Sequence, residues 1–545
     1  MTKNRKALKQ QKLSAAKQLT SGLKTVSADM IGELLGKVIA SGNKVCIEGD
    51  NQKQADFLSQ ALLELAPDEI NNLHMLISTI GLPEQLDIFD MGLASKIDLA
   101  YAGPQGFRMA RMLREKQIEV GNIHTYNELY ARYFMDLRPD VCLLCGVEAD
   151  SDGNIYMNGS AEDSSAIVEA TAFQQGIVVV QVNRIVDKVR RVDIPADWVD
   201  FVVESPRHKF HLEPLFTRDP AQITESMVLM GMMTMKGIYA KYLPRTLNHG
   251  VGFNTAAIEL MLPTYGEELG LKGKALTNWV LNPHPTMIPA IEEGWVESII
   301  PPGSELGMEK YVEANPDIFP IGADGSLRSS RLFAQLAGHY SADIFVGASL
   351  QIDALGNSST VTSERMTGYG GAPNFGCDAG GRRHTSDAWL QAGQEYTGGG
   401  LPRGRKLVVQ IVETFQQGMK ETFVENLDAL QLAADATFPL PPIMIYGEDV
   451  SHIVTEEGIA NLLLCRTLEE REQAIRGVAG YTKVGMKRDK KVVADLRSRG
   501  IIQRPEDLGI SKLRATRDML SARNIKDLVR WSDGLYNPPS RFRNW

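Results

Sequence analysis

The chain is 545 residues long, more than one hydrophobic core accommodates, so two large domains or three smaller ones are expected. Its 43% hydrophobic and 23% charged content is that of a globular protein, and a formal net charge of −9 argues against a nucleic-acid binder. No apolar run reaches the ~18 residues a membrane-spanning helix needs, and five cysteines in so long a chain make no disulfide framework, which points to a reducing cytoplasm.

The first element, MTKNRKALKQQKLSAAKQ, carries six Lys or Arg residues and no apolar stretch, so it is not a secretory signal. It reads as a basic helical arm over 1–24, either solvated or docking a partner. KVCIEGDNQKQADFLSQALLEL follows: Val45 to Ile47 reads as a buried strand, Asp50 or Asn51 as a helix cap, and Leu58, Leu62 and Leu65 as one helix face. DVCLLCG (140–146), GIVVVQVN (176–183) and DFVVES (200–205) repeat the pattern. Cys142 and Cys145 form a lone C-x-x-C in an apolar setting and read as buried thiols rather than a metal site. Runs apolar on both faces suit a parallel sheet covered by helices on each side, which makes 25–215 an α/β domain. PRHKFHLEPLFTRDP (206–220) reads as a linker. The alternation resumes with VESII (296–300), ADIFVGASLQID (342–353), KLVVQIVETF (406–415) and PIMIYG (442–447), so 216–545 reads as a second α/β domain.

In such folds ligands gather beyond the carboxyl ends of strands, which directs attention to five loops. EGDNQKQ (48–54) places Gly49, Asp50, Asn51, Gln52 and Lys53 where a helix start favours an anion, although no Walker motif is present. LNHGVGFNTAAIEL (247–260) brings Gly250, Gly252 and Asn254 to a similar turn, without the third glycine of a dinucleotide fingerprint. In NPHPTMIPAIEEG (282–294), Asn282 and His284 sit among prolines, either as fixed polar groups or as a rigid surface loop with a solvated His. MTGYGGAPNFGCDAGGRRHTSDAW (366–389) offers Gly370 and Gly371 as N–H donors to one oxygen, and Arg382, Arg383 and His384 as positive donors. A glycine turn with exposed arginines is the plainer reading of that stretch. YGEDVSHIVTEEGIANLL (446–463) reads as His452, Glu456 and Glu457 ahead of an amphipathic helix, with the two carboxylates at a solvated helix start.

Taken together these stretches resemble a known family. HIVTEEGIANLL is similar to the H-[VI]-V-T-E-x-G-[IV]-A segment of the C-terminal domain of coenzyme A transferases, and NHGVGFNTAAIELML resembles their Gly-x-Gly loop. More narrowly, CIEGDNQKQADFL, TNWVLNPHPTMIPAIEEGW, GADGSLRSSR, GYGGAPNFG and GRRHTSDAW resemble the α subunit of bacterial malonate decarboxylase, from about residue 25 to the C-terminus.

The resemblance implies two coenzyme A transferase-like α/β domains and an acyl-carrier-protein transferase. Its expected reaction exchanges acetyl for malonyl on a carrier-bound thioester, giving malonyl-S-carrier and acetate. The expected partners are the acyl carrier protein and the decarboxylase subunits of the complex. No tightly bound cofactor, metal, nucleic acid or membrane is expected; the CoA-like phosphoribosyl-dephospho-coenzyme A group belongs to the carrier. Under this reading Gly370, Gly371 and Asn374 stabilise the oxyanion, and Asn282 or His284 orients substrate. Arg382 and Arg383, with His384, hold malonate's second carboxylate or a phosphate. The Gly49–Lys53 loop and the Gly250, Gly252, Asn254 loop serve the nucleotide or the reaction centre.

One departure bears on mechanism. Many coenzyme A transferases use a glutamate nucleophile, whereas Asn282 and His284 stand where a Thr-Glu or Ser-Glu pair is expected, and Glu292 and Glu293 read as helix surface. Direct attack by malonate through a mixed anhydride is the resulting expectation, with Glu364 as the fallback nucleophile. The alternatives are a general coenzyme A transferase or acyl-CoA hydrolase, and a non-catalytic scaffold subunit.

Overall fold

The computed structural model describes residues 2–20, 24–49, 53–157, 163–206, 219–320, 342–377, 386–398, 404–436, 438–543 and 545. The first half builds a sheet of β1 (Thr25–Val26), β2 (Lys44–Ile47), β3 (Leu73–Thr79), β4 (Ala94–Tyr101), β5 (Glu119–Ile123), β6 (Val141–Asp150), β7 (Ile155–Tyr156), β8 (Ile177–Val186) and β9 (Phe201–Glu204). Its order is β1-β9-β8-β6-β2-β3-β4-β5, with β7 paired to β6, and every pairing except β6 with β7 is parallel.

The apolar-on-both-faces runs explain this sheet. Val45 and Ile47 point into one buried cluster and Cys46, between them, into another, so helices cover both sides. Each such Val or Ile side chain contributes roughly 1.5–3 kcal/mol when fully buried. Cys142 pairs in register with Cys46 inside the sheet, and burial pushes its thiol up to about 12. The five cysteines form no disulfide, and among the described residues no cluster of ligands suits a metal ion.

The second half builds β10 (Thr246–His249), β11 (Asn278–Val280), β12 (Ser298–Ile300), β13 (Ile344–Gly347), β14 (Leu407–Ile411), β15 (His452–Thr455), β16 (Gly458–Asn461) and β17 (Ile502–Gln503). The order is β12-β11-β10-β13-β14-β15-β16-β17, parallel as far as β15 and antiparallel through the last two pairings. Here too alternate residues part company: Leu407, Val409 and Ile411 enter one core, Val408 the other.

Several local expectations change. PIMIYG forms no strand; Met444 and Ile445 are buried, and a single bridge ties Ile445 to Ser358. ADIFVGASLQID divides into β13 and a separate short strand, Gln351–Asp353. HIVTEEGIANLL is a β-hairpin rather than a helix start: Thr455 pairs with Gly458, and Glu456 and Glu457 occupy the turn. A Cβ on Gly458 would lie 2.6 Å from the Gln503 carbonyl oxygen, so only glycine lets the hairpin close against β17. The basic N-terminal segment is a helix, Thr2–Ala16, and three of its cations are paired with the protein's own first half. Arg5 meets Asp140 at 3.2 Å, Lys9 meets Asp200 at 2.8 Å, and Lys12 donates to Asn43. The 206–220 linker lies almost wholly outside the described residues. Among the described residues no helix is long and apolar enough to cross a membrane.

The halves are sewn together by the segment after residue 359. Val361, Met366, Leu432, Ala433 and Phe438 belong to the core of the first sheet, although they follow β13 in the chain. Gly368 bridges Tyr101 and Gly370 bridges Thr125, which lays this segment across the carboxyl ends of β4 and β5.

Candidate active site

Each sheet has one place where strand order reverses, and ligands bind outside the carboxyl ends of strands at such points. In the first sheet it lies between β2 and β6, and protein side chains fill it. Glu48 accepts from the Cys145 N–H at 2.9 Å and pairs with the Lys53 ammonium at 3.0 Å, while Ser164 bonds both. Lys53 is therefore ion-paired and buried, held within the protein rather than presented at an open loop for the nucleotide or the reaction centre. Gly49 has a structural reason: a Cβ there would lie 2.3 Å from the Thr79 carbonyl oxygen. Asp50, Asn51 and Gln52 lie outside the described residues.

In the second sheet the reversal lies between β10 and β13, and there a cavity of about 300 Å³ opens. Its walls come from both halves: Tyr101 and Tyr126 from the first, and the ends of β10, β11 and β13 with residues 360–375 from the second. Five of the expected residues line it together: Gly250, Asn282, His284, Gly370 and Gly371. They are distant in sequence, so the topology brings them to one spot. Asn282 and His284 are 7% and 1% exposed, which excludes the solvated-loop reading.

The glycine loop narrows the donor assignment. The N–H groups of Tyr369 and Gly370 both donate to the Ala100 carbonyl, at 2.8 and 3.0 Å. Gly370 is therefore an anchor of the loop, not an oxyanion donor. The Gly371 N–H makes no hydrogen bond among the described residues, and it heads the short helix Ala372–Phe375. Asn374 sits on that helix behind the cavity wall, its N–H donating to the Gly371 carbonyl at 3.0 Å. The Gly250 N–H is likewise taken, by the Val346 carbonyl at 2.7 Å. Gly252 caps the helix Phe253–Met261, and Asn254 donates to the Ile411 carbonyl at 3.2 Å; neither lines the cavity. Arg382, Arg383 and His384 lie outside the described residues. Glu364 is exposed and paired with Lys420, away from the cavity lining.

Behind the cavity runs a fully buried polar chain. His249, which lines the cavity, meets the Tyr239 hydroxyl at 2.8 Å through Nε2 and the Glu259 carboxylate at 3.1 Å through Nδ1. Glu259 also accepts from the Thr286 hydroxyl, two residues beyond His284. The chain ties the β10 loop to the β11 loop across the floor of the site. Burial and the Glu259 charge push the Tyr239 hydroxyl far up, so it remains a neutral donor. A second chain reaches the wall from the first half: the Thr79 N–H donates to the Gly49 carbonyl, and the Thr79 hydroxyl meets Tyr126 at 2.9 Å.

Sequence reading missed His249, Ser349, Arg365 and Thr367, all of which line the cavity. Ser349 Oγ, Thr367 Oγ1 and Arg365 Nε are shut off from solvent and make no hydrogen bond among the described residues. Buried polar groups left unpaired cost about 1–3 kcal/mol each, so three around one cavity mark a place where a polar ligand is compensated. Among the described residues no Asp or Glu side chain lines this cavity.

A family model described as "Malonate decarboxylase, alpha subunit, transporter" matches residues 2–545. The chain is 58% identical over 541 residues, 98% of its own length and 98% of the other's, to the acetyl-S-ACP:malonate ACP transferase of Malonomonas rubra. It is similar, at TM-score 0.95 and 53% identity over 99% of each chain, to a chain in a Pseudomonas malonate decarboxylase hetero-tetramer in complex with malonate. An acyl-CoA transferase from Escherichia coli O157:H7, 14% identical with a TM-score of 0.52 over 81% of this chain and 88% of that one, shares the fold alone.

Proposed function

The chain belongs to the malonate decarboxylase alpha-subunit family, and on that premise we infer that it is the acyl-carrier-protein transferase of such a complex. It converts acetyl-S-carrier and malonate to malonyl-S-carrier and acetate. The thioester it acts on sits on a phosphoribosyl-dephospho-coenzyme A group of the carrier protein, and decarboxylase subunits consume the product. The complex works in the cytoplasm, with which five cysteines outside any disulfide agree. We take residues 1–24 as an N-terminal segment, 25–215 as the first domain and 216–545 as the second, a division supported by the large sheet that each of the latter two carries.

The cavity lining carries the mechanism. With no carboxylate side chain in the wall among the described residues, the incoming malonate is itself the nucleophile. One malonate oxygen bonds to the acetyl carbonyl carbon and the carbonyl electrons move to oxygen, where the Gly371 N–H meets them. Collapse expels the carrier thiolate and leaves an acetyl–malonyl anhydride. The thiolate then attacks the malonyl carbonyl, and acetate leaves with the oxygen malonate brought. Bond types are conserved overall, so the exchange needs no external energy source. Asn282 and His284, held by their prolines at the carboxyl end of β11, orient the two acyl groups. Arg382 and Arg383 remain assigned to carboxylate or phosphate.

The test mixes the protein with acetyl-carrier protein, or acetyl-coenzyme A in its dephospho form, and isotopically labelled malonate. Mass spectrometry should find labelled malonyl thioester and stoichiometric acetate. Free thiol accumulating in place of malonyl thioester would make the protein a hydrolase. Absence of both, with carrier present, would leave a scaffold subunit.

A further inference from the structure

Arg365 stands out among the residues that line the cavity. Among the described lining residues it is the one with a permanent charge. A tight turn fixes its backbone: the Thr362 N–H donates to the Arg365 carbonyl at 2.8 Å, and the Arg365 N–H returns to Thr362 at 3.1–3.2 Å. Its guanidinium lies over the Phe107 ring, 5.1 Å from the centroid. Yet among the described residues its Nε has no hydrogen-bond partner and is closed off from solvent, and the guanidinium forms no ion pair with them. The adjacent carboxylate, Glu364, is turned outward and spent on Lys420. Arginine is suited to fork-like recognition of carboxylates, and here it is held in place with its counter-charge missing.

We propose that Arg365 binds the second, non-reacting carboxylate of the incoming dicarboxylate, and thereby selects malonate over a monocarboxylic acid. The proposal rests on the transferase reading. Once one malonate carboxylate attacks the acetyl carbonyl at Gly371, the other lies one methylene away and still carries its charge. Arg365 is three residues before Gly368, on the same segment as the donor loop. The Ser349 and Thr367 hydroxyls, also without partners among the described residues, give that carboxylate further donors. Acetate has no second carboxylate and makes none of these contacts. The carrier's phosphates lie a pantetheine arm away from the reacting thioester, so a phosphate is the weaker match to a cation beside the reaction centre.

The experiment compares two exchanges catalysed by the protein with its carrier: labelled malonate into acetyl-carrier, and labelled acetate into acetyl-carrier. Arg365→Met should lower kcat/KM for malonate by about 100-fold or more, since a site built around a polar group discriminates by such factors. Acetate exchange should fall far less. Arg365→Lys should recover part of the malonate rate, and thermal unfolding of both variants should follow the parent. An equal fall in both exchanges, a rise confined to the KM of acetyl-carrier, or an unchanged malonate rate would each overturn the assignment. If the parent protein exchanges neither acid, the transferase reading fails first and Arg365 falls with it.

Discussion

Gly368 is the sharpest place to perturb the site without touching its chemistry. Its φ is +79°, and a Cβ would lie 2.5 Å from the Ala100 carbonyl oxygen, an overlap with backbone that no rotamer relieves. Gly368→Ala therefore carries about 1–2 kcal/mol of left-handed strain. It also threatens the two hydrogen bonds from Tyr369 and Gly370 to Ala100, worth about 1 kcal/mol each. The sum of about 3–4 kcal/mol falls on one loop, and the cheapest response is for residues 368–371 to lift off β4. A displacement near 1 Å there carries the Gly371 N–H away from the reacting carbonyl and costs about 100-fold in kcat. Gly92→Ala is the control: its φ is +78°, nothing lies within 4 Å of the added Cβ, and Gly92 is not among the cavity residues. It carries the same strain, so it should lose stability while keeping kcat. The assay is steady-state malonate exchange beside thermal unfolding of each variant. Should Gly368→Ala keep more than half of the parent kcat, the Ala100 anchor does not position the donor loop and the oxyanion assignment at Gly371 is refuted.

Glu259→Ala should destabilise the second half by about 3–5 kcal/mol, because it strips the shared acceptor from buried His249 and Thr286. Glu259→Gln should recover part of both stability and kcat, and a Glu259→Ala protein within 0.5 kcal/mol of the parent would reject the chain as a structural tie. In the first half, burial pushes the Asp98 carboxyl up, but hydrogen bonds from His124 and His74 outweigh it and hold the carboxyl far below its ordinary range. Burial also pulls the His124 imidazole down, and Asp98 and Glu128 outweigh it, leaving the imidazole above its usual value. The Asp98 contribution is present above the unfolded value near pH 4, while that of His124 is complete below about pH 6.5 and is lost as pH rises through the raised folded value. The thermal-midpoint gap between the parent and Asp98→Asn should be widest between about pH 5 and 6.5 and narrow at higher pH, and a gap that ignores pH would contradict the pairing.

Strand runs that are apolar on both faces were legible because a parallel sheet buried on both sides demands them. The misreadings come from burial without pairing and from turn chemistry. PIMIYG is apolar because Met444 and Ile445 are buried, not because they join a ladder. TEEG reads like a helix start until Gly458 is seen packed against Gln503, where only a hairpin fits. Gly250, Asn282, His284, Gly370 and Gly371 were within reach because loops after strands are where such folds keep ligands. Which of their N–H groups were free was not legible, since that depends on Ala100 and Val346, each about a hundred or more residues distant. Arg365 was hidden in TSERMTG, where the expectation fell on its neighbour Glu364; in the fold Glu364 pairs with Lys420 while Arg365 lines the cavity.

The central claim is that malonate itself attacks the acetyl thioester. A single turnover with excess protein, acetyl-carrier and malonate bearing heavy oxygen in its carboxylates tests it directly, by mass analysis of the acetate released and of the intact protein. Direct attack places one heavy oxygen in the acetate of that first turnover and leaves the protein mass unchanged. Unlabelled acetate, with an acyl or thioester adduct on a protein carboxylate, would contradict the account and restore a glutamyl nucleophile.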